Sequence, residues 1–235
     1  MDTATHVEQN LQKVQNALLQ ACSRSGRKYT DVTLMAVTKY AADSDVLALL
    51  NSGKIYHIGE SRVQQAVTRW TQPDFAKHPV VKHFIGHLQK NKTAQAAALF
   101  DFIDSIDNLE TAQLLDKQAQ KLDKILRVLV QIKLTNRISQ SGVRLEEAPI
   151  LVEHLKGLQY IRPCGYMAIA PQTKDSVCLR ALFKQVKAAF DRDFPVGAER
   201  YLSLGMSNDF EVAVEEGSTL PRVGSKLFTP HLEEL

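Results

Sequence analysis

The chain has 235 residues, 44% of them hydrophobic and 23% charged, with 11 Gly and 8 Pro, which excludes a disordered, collagenous or low-complexity protein. Its net charge of +3 is spread along the sequence with no block of five like charges, so nothing points to a nucleic acid or a membrane surface. Cys22, Cys164 and Cys178 are an odd, widely spaced set without a CxxC, which argues against a disulfide framework or a structural zinc. The opening MDTATHVEQN lacks the basic and apolar regions of a signal peptide, and the reading is a cytoplasmic protein.

Residues 6–25 carry Val7, Leu11, Val14, Leu18 and Ala21 at helical spacing and predict an amphipathic helix. After the basic stretch around Gly26 the period changes. Residues 32–38 are short, apolar and β-branched, which predicts a buried strand. Asp43-Ser44-Asp45 then reads as an N-cap for a helix over 46–51. The alternation continues: strands over 54–58, 80–85, 100–106, 125–134, 160–169, 201–205 and 219–223, with helices over 62–70, 89–98, 109–121, 145–155, 175–190 and 209–215.

Eight strands, each but the last followed by a helix, imply parallel pairing through right-handed crossovers. An open doubly wound sheet is the rival. The strand count, the length and the leading helix favour a closed (β/α)8 TIM barrel, one domain over 1–235 with 1–28 packed on the barrel.

In such a barrel reactive residues belong at the C-terminal ends of the strands. Alternation puts Lys39 on the face of Thr33, Met35 and Val37, aimed inward at the barrel mouth, where a neutral amine could form a Schiff base. The bland reading is a lysine that snorkels to solvent. The seventh strand runs into Leu204-Gly205-Met206-Ser207-Asn208-Asp209, where Gly205 permits close backbone approach and Ser207 offers a hydroxyl near a helix start. Taken alone this stretch reads as a helix cap. The eighth strand ends Arg222-Val223-Gly224-Ser225, with Arg222 and Gly224 on one face and Gly224 and Ser225 at the usual phosphate position. A phosphorylated carbonyl compound would satisfy all three features. Pyridoxal 5′-phosphate (PLP) is the natural candidate, because its ring nitrogen needs a partner such as Arg222. His83 and His87 are four apart, but one falls on a strand and the other after Gly86, so no metal site is expected. Lys90-Asn91-Lys92 reads as a solvated helix face.

Through Ala36-Val37-Thr38-Lys39, Ile58-Gly59-Glu60-Ser61-Arg62, His83-Phe84-Ile85-Gly86, Gly165-Tyr166-Met167, Leu204-Gly205-Met206-Ser207-Asn208 and Arg222-Val223-Gly224, the chain resembles the pyridoxal phosphate homeostasis protein family. The barrel of that family is similar to the N-terminal domain of alanine racemase. The resemblance implies PLP held on Lys39 as an aldimine, its phosphate on Ser207, Gly224 and Ser225, and its pyridine nitrogen facing Arg222. A cation there disfavours protonation of the ring and weakens it as an electron sink, which suits a carrier. The implied role is intracellular PLP homeostasis by a monomer or weak dimer without strong catalysis, passing cofactor to PLP enzymes. The alternatives are a PLP-dependent amino-acid racemase and, further off, a cofactor-free Schiff-base aldolase. Against a racemase, only about a dozen residues follow the eighth strand, too few for the β-domain that carries a second base. Ser61 stands where the family often has Asn, Gln140 where it has Lys, and Tyr166 where it has Leu. Gln140 puts a second-lysine transfer route in doubt.

Overall fold

The short apolar runs form β1 (Met35–Val37), β2 (His57–Glu60), β3 (Val81–Phe84), β4 (Phe102–Ile106), β5 (Leu126–Lys133), β6 (Ile161–Ile169), β7 (Tyr201–Ser203) and β8 (Arg222–Val223) in a computed structural model that describes residues 3–135, 140–197 and 199–229. Residues 1, 2 and 230–235, part of the predicted leading segment and tail, lie outside the described residues. The sheet order is β7-β6-β5-β4-β3-β2-β1-β8, and the strand pairs run parallel. Because β8 returns beside β1 and the others follow chain order, the sheet curls into a nearly closed TIM barrel rather than opening into a doubly wound sheet. At the seam between β7 and β8, Leu220 N donates to Leu202 O at 3.1 Å and Arg222 N to Gly205 O at 3.0 Å.

Alternation along the strands sorts their side chains into two layers. Ala36, Ile58, Ile103, Val128, Val130, Tyr166 and Val223 face outward and pack against the helices. Met35, Phe102, Leu129, Met167 and Leu220 fill the barrel interior. Around the strands run α1 (Thr3–Arg24), α2 (Asp43–Asn51), α3 (Val63–Trp70), α4 (Pro73–Ala76), α5 (Thr93–Leu99), α6 (Leu109–Lys121), α7 (Ala148–Lys156), α8 (Ser176–Asp193), α9 (Phe210–Glu215) and α10 (Ser225–Phe228). The apolar stripe of α1 is buried as predicted, and this helix packs on α2, α9 and α10.

Several boundaries depart from the sequence expectation. Helix α2 begins at Asp43 rather than Val46; Ala42 is its N-cap and makes no side-chain cap bond. The aspartates read as a cap therefore lie in the first turn, where negative charge faces the free N–H groups. The start of the helix predicted over 89–98 is a one-turn 3-10 helix, Lys90–Lys92, whose exposed Lys90 pairs with Glu110 at 2.5 Å. Helix α7 starts at Ala148, with Pro149 in its first turn, rather than at Leu145. The four-residue helices α4 and α10 went unpredicted because one turn is too short to show a period.

Candidate functional site

Register brings two strand ends together. Met35 pairs with Arg222 and Ala36 with Val223, so the chain leaving β1 and the chain leaving β8 emerge side by side at the C-terminal mouth. Gly224 sits against β1 closely enough that a Cβ there would lie 3.1 Å from Val37 O. The loop after β7 arrives at the same place. Gly205 takes φ +85°, and a Cβ on it would lie 2.7 Å from Phe210 Cα and 2.6 Å from Ala213 Cβ. The close approach that this glycine permits is thus that of α9 to the strand end. Asp209 Oδ1 accepts from Met206 N at 2.6 Å and Phe210 N donates to Met206 O, closing a turn around Ser207.

Ser207 is buried, and its hydroxyl oxygen accepts from Gly224 N at 3.3 Å and from Lys226 N at 3.5 Å. Ser225 follows Gly224 as the exposed first residue of α10. Ser207, Gly224 and Ser225 therefore share one corner, with a hydroxyl and backbone N–H donors converging on it. Arg222 lies one step deeper. It is 3% exposed and donates from Nη1 to Ser203 O at 2.7 Å and Ser203 Oγ at 2.8 Å, and from Nη2 to Ala168 O at 2.9 Å. Burial pulls its pKa down to about 10, against the opposing pull of Asp104 and Asp209.

Lys39 follows β1 by two residues. β1 stops at Val37, so Lys39 lies in a turn that the period-2 argument does not reach. Its Nζ stands 5.1 Å from the centroid of the exposed Tyr40 ring, and the residue borders an open groove of about 420 Å³ with Gln64, Gln65, Thr68 and Arg69 of α3. The lysine thus lies just past the C-terminal end of β1, at the edge of the groove along α3.

Two groups escaped the sequence reading. Inside the barrel, His57 Nδ1 is 2.9 Å from His83 Nε2, and His83 Nδ1 is 3.0 Å from Asp104 Oδ1, while the His83 ring stacks on Phe102 at 4.4 Å. Burial, with His83 adding to it, brings His57 down to about 4. Sequence spacing sets His83 only against His87, which is exposed; its real partners come from neighbouring strands at inward positions, a signal that alternation contained. On the outer face, the buried Glu60 accepts from Thr38 Oγ1 at 2.7 Å, Arg69 Nη1 at 2.9 Å and Trp70 Nε1 at 3.3 Å. Gln140 bridges two loops, donating to Ile169 O at 2.8 Å and accepting from Thr135 N at 3.0 Å. Among the described residues no group of three His, Cys, Asp or Glu is arranged to hold a metal, and no helix is long and apolar enough to cross a membrane.

The fold is a parallel (β/α)8 barrel whose C-terminal mouth carries the Ser207–Gly224 hydroxyl–amide corner with the buried Arg222 one step deeper, in the part of the barrel where this class of protein places its ligand sites. The sequence pattern of the alanine racemase N-terminal domain matches residues 6–231, and the chain belongs to that family. A relative from Pseudomonas aeruginosa called pyridoxal phosphate homeostasis protein is 33% identical over 222 residues, covering 94% of each chain. Among solved structures, PipY of Synechococcus elongatus with PLP bound superposes with TM-score 0.77 at 30% identity, over 90% of this chain and 99% of that one. An unknown protein from Bifidobacterium adolescentis superposes at 0.85 with 26% identity, over 97% of both chains.

Proposed function

We propose that this protein binds pyridoxal 5′-phosphate at the C-terminal mouth of its barrel and serves PLP homeostasis as a carrier rather than as a strong catalyst. The observation that carries this is the convergence of Ser207 Oγ and the backbone N–H groups of Gly224 and Lys226, beside the turn that bears Lys39. The name of the Pseudomonas relative and the PLP in PipY support the choice of ligand.

The donor set fits the group. A phosphate asks for hydroxyl and N–H donors, which Ser207, Gly224 and Ser225 supply. A pyridine nitrogen accepts a hydrogen bond, and Arg222 is a donor with no acceptor of its own, held by the neutral oxygens of Ser203 and Ala168. Placed opposite the ring nitrogen, Arg222 would disfavour its protonation, so the bound ring would be a weaker electron sink for carbanion chemistry. When bound, PLP supplies an aldehyde whose carbon bonds to a neutral amine and whose oxygen leaves as water, a step that hydrolysis reverses. Lys39 supplies that amine from the rim, where it is accessible to an incoming aldehyde and to the water that frees it. Delivery to PLP enzymes and a cytoplasmic location complete the reading.

The test is a spectrum. Protein mixed with PLP should absorb near about 420 nm, and borohydride should remove the band and fix the added mass on one peptide. The expected peptide contains Lys39, and Lys39→Ala should lose the band. A protein that stays colourless, or mass fixed on another lysine, overturns the assignment. Conversion of L- to D-alanine at roughly 10 per second would replace the carrier with a racemase.

A further inference from the structure

The turn that bears Lys39 is held from behind by one side chain of α3. Arg69 Nε donates to Asp43 Oδ1 at 2.8 Å, Nη1 to Thr38 O at 3.0 Å and to Glu60 Oε1 at 2.9 Å, and Nη2 to Ala41 O at 2.9 Å. Thr38 and Ala41 bracket Lys39 and Tyr40, and Ala41 N donates back to Thr38 O at 3.0 Å. Both flanks of the turn are thereby tied to one guanidinium. That guanidinium is fixed in its turn by Glu60, whose carboxylate also takes the Thr38 hydroxyl and the Trp70 indole N–H. Arg69 has a side chain only 14% exposed and Glu60 one only 2% exposed, so this ion pair is shielded from water. Lys39 itself is past the end of β1; the flank before it is also tied to β2 by Thr38 N donating to Gly59 O at 3.0 Å, and the clamp holds the rest of the turn.

We infer that Arg69 is a positioning residue for Lys39: through the carbonyls of Thr38 and Ala41 it fixes the turn so that the amine stands within reach of a ligand anchored at Ser207 and Gly224. The inference rests on the proposed PLP site. Only a planar fork with several donors reaches two carbonyls and two carboxylates at once, and a lysine, with one point charge on a flexible stem, cannot. A displacement of about 1 Å in a reacting group costs on the order of a hundredfold in productive encounter.

Arg69→Lys keeps the charge opposite Glu60 and so separates positioning from charge balance. Two ligands are titrated: PLP, which can bond covalently to the amine, and 4-deoxypyridoxine 5′-phosphate, which has the same ring and phosphate but no aldehyde. Arg69→Lys should weaken PLP binding and slow the appearance of the band near about 420 nm by about tenfold or more. It should leave affinity for the deoxy compound within about twofold. Equal weakening of both ligands would make Arg69 a general structural residue, and unchanged PLP binding would remove it from the site; either overturns the inference. If Arg69→Lys does not fold, Arg69→Gln is read with the same two ligands and the same criteria. Lys39→Ala serves as the control: its PLP affinity should fall to that of the deoxy compound. If it does not, the covalent reading fails whatever Arg69 does.

Discussion

The hydroxyl of Ser207 and the backbone N–H of Gly224 stand 3.3 Å apart although 17 residues separate them in the chain. The contact ties the loop after β7 to the exit of β8 just beside the seam of the barrel, where direct strand pairing is sparse. In the free protein it satisfies a loop hydroxyl. In the proposed function the same hydroxyl and amide would both donate to one phosphate anion.

Ser207→Ala removes one of those donors. Hydrogen bonds to a charged group are worth about 1.5–3 kcal/mol, so affinity for PLP should fall by roughly ten- to a hundredfold. Pyridoxal without its phosphate should bind the variant as well as it binds the parent protein. Calorimetric titration with both ligands checks this. An equal loss for both would mean that Ser207 shapes the pocket rather than grips the phosphate.

Gly205→Ala tests how that loop is built. Its φ of +85° is a conformation that residues with a Cβ rarely adopt, and the new methyl would meet Phe210 Cα at 2.7 Å and Ala213 Cβ at 2.6 Å. Strain and overpacking together should cost about 2–4 kcal/mol in urea unfolding. PLP affinity should fall with it, because α9 would be pushed away from the Ser207 turn. A variant of unchanged midpoint would show that the helix yields freely.

Strand count and parity made most of the barrel legible in the sequence. Period-2 alternation correctly put Met35, Leu220 and Arg222 inside, since a strand repeats its side-chain direction every second residue. At Lys39 the rule reaches its end, because it holds only while the chain stays extended, and β1 ends at Val37. The corner of Ser207 and Gly224 was readable from fold position, since phosphates sit after the seventh and eighth strands of such barrels. The Arg69 clamp was not readable. Four hydrogen bonds to acceptors between 9 and 31 residues away, two of them backbone carbonyls, leave no pattern in residue types. His83 and Asp104 fall between these cases: each was at an inward position, but their pairing depended on the relative register of β3 and β4.

Asn10 carries the influence of α1 to the mouth of the barrel. It is buried, and its Nδ2 donates to Leu227 O and Thr229 O, both at 3.1 Å, at the C-terminal end of α10. Asn10→Ala leaves two carbonyls without that donor and should cost about 1–3 kcal/mol of stability. Because α10 begins at Ser225, beside the corner proposed for the phosphate, a loosened α10 should also weaken PLP binding severalfold. Asn10→Asp supplies oxygens where a donor is needed and should be at least as damaging. Urea titrations and PLP affinities of the two variants check the order, and a stable Asn10→Asp protein would contradict it.

His57 gives the fold a sensitivity to acid. Its pKa drops from 6.5 to about 4, first because burial disfavours the imidazolium and then because His83 lies against it, with Asp101 opposing. Between about pH 4 and 6.5 the unfolded chain therefore binds a proton that the folded protein does not. Stability must rise with pH across that window, or equally fall as the solution is acidified from 6.5, and this contribution levels off below about 4. Each tenfold loss of proton affinity on folding is worth about 1.4 kcal/mol, so the full effect reaches about 3 kcal/mol. His57→Gln keeps a polar partner for His83 without the titration. Its urea midpoint should change less between pH 7 and pH 4.5 than that of the parent protein. Curves that stay parallel across that range would show that His57 takes up its proton as easily folded as unfolded.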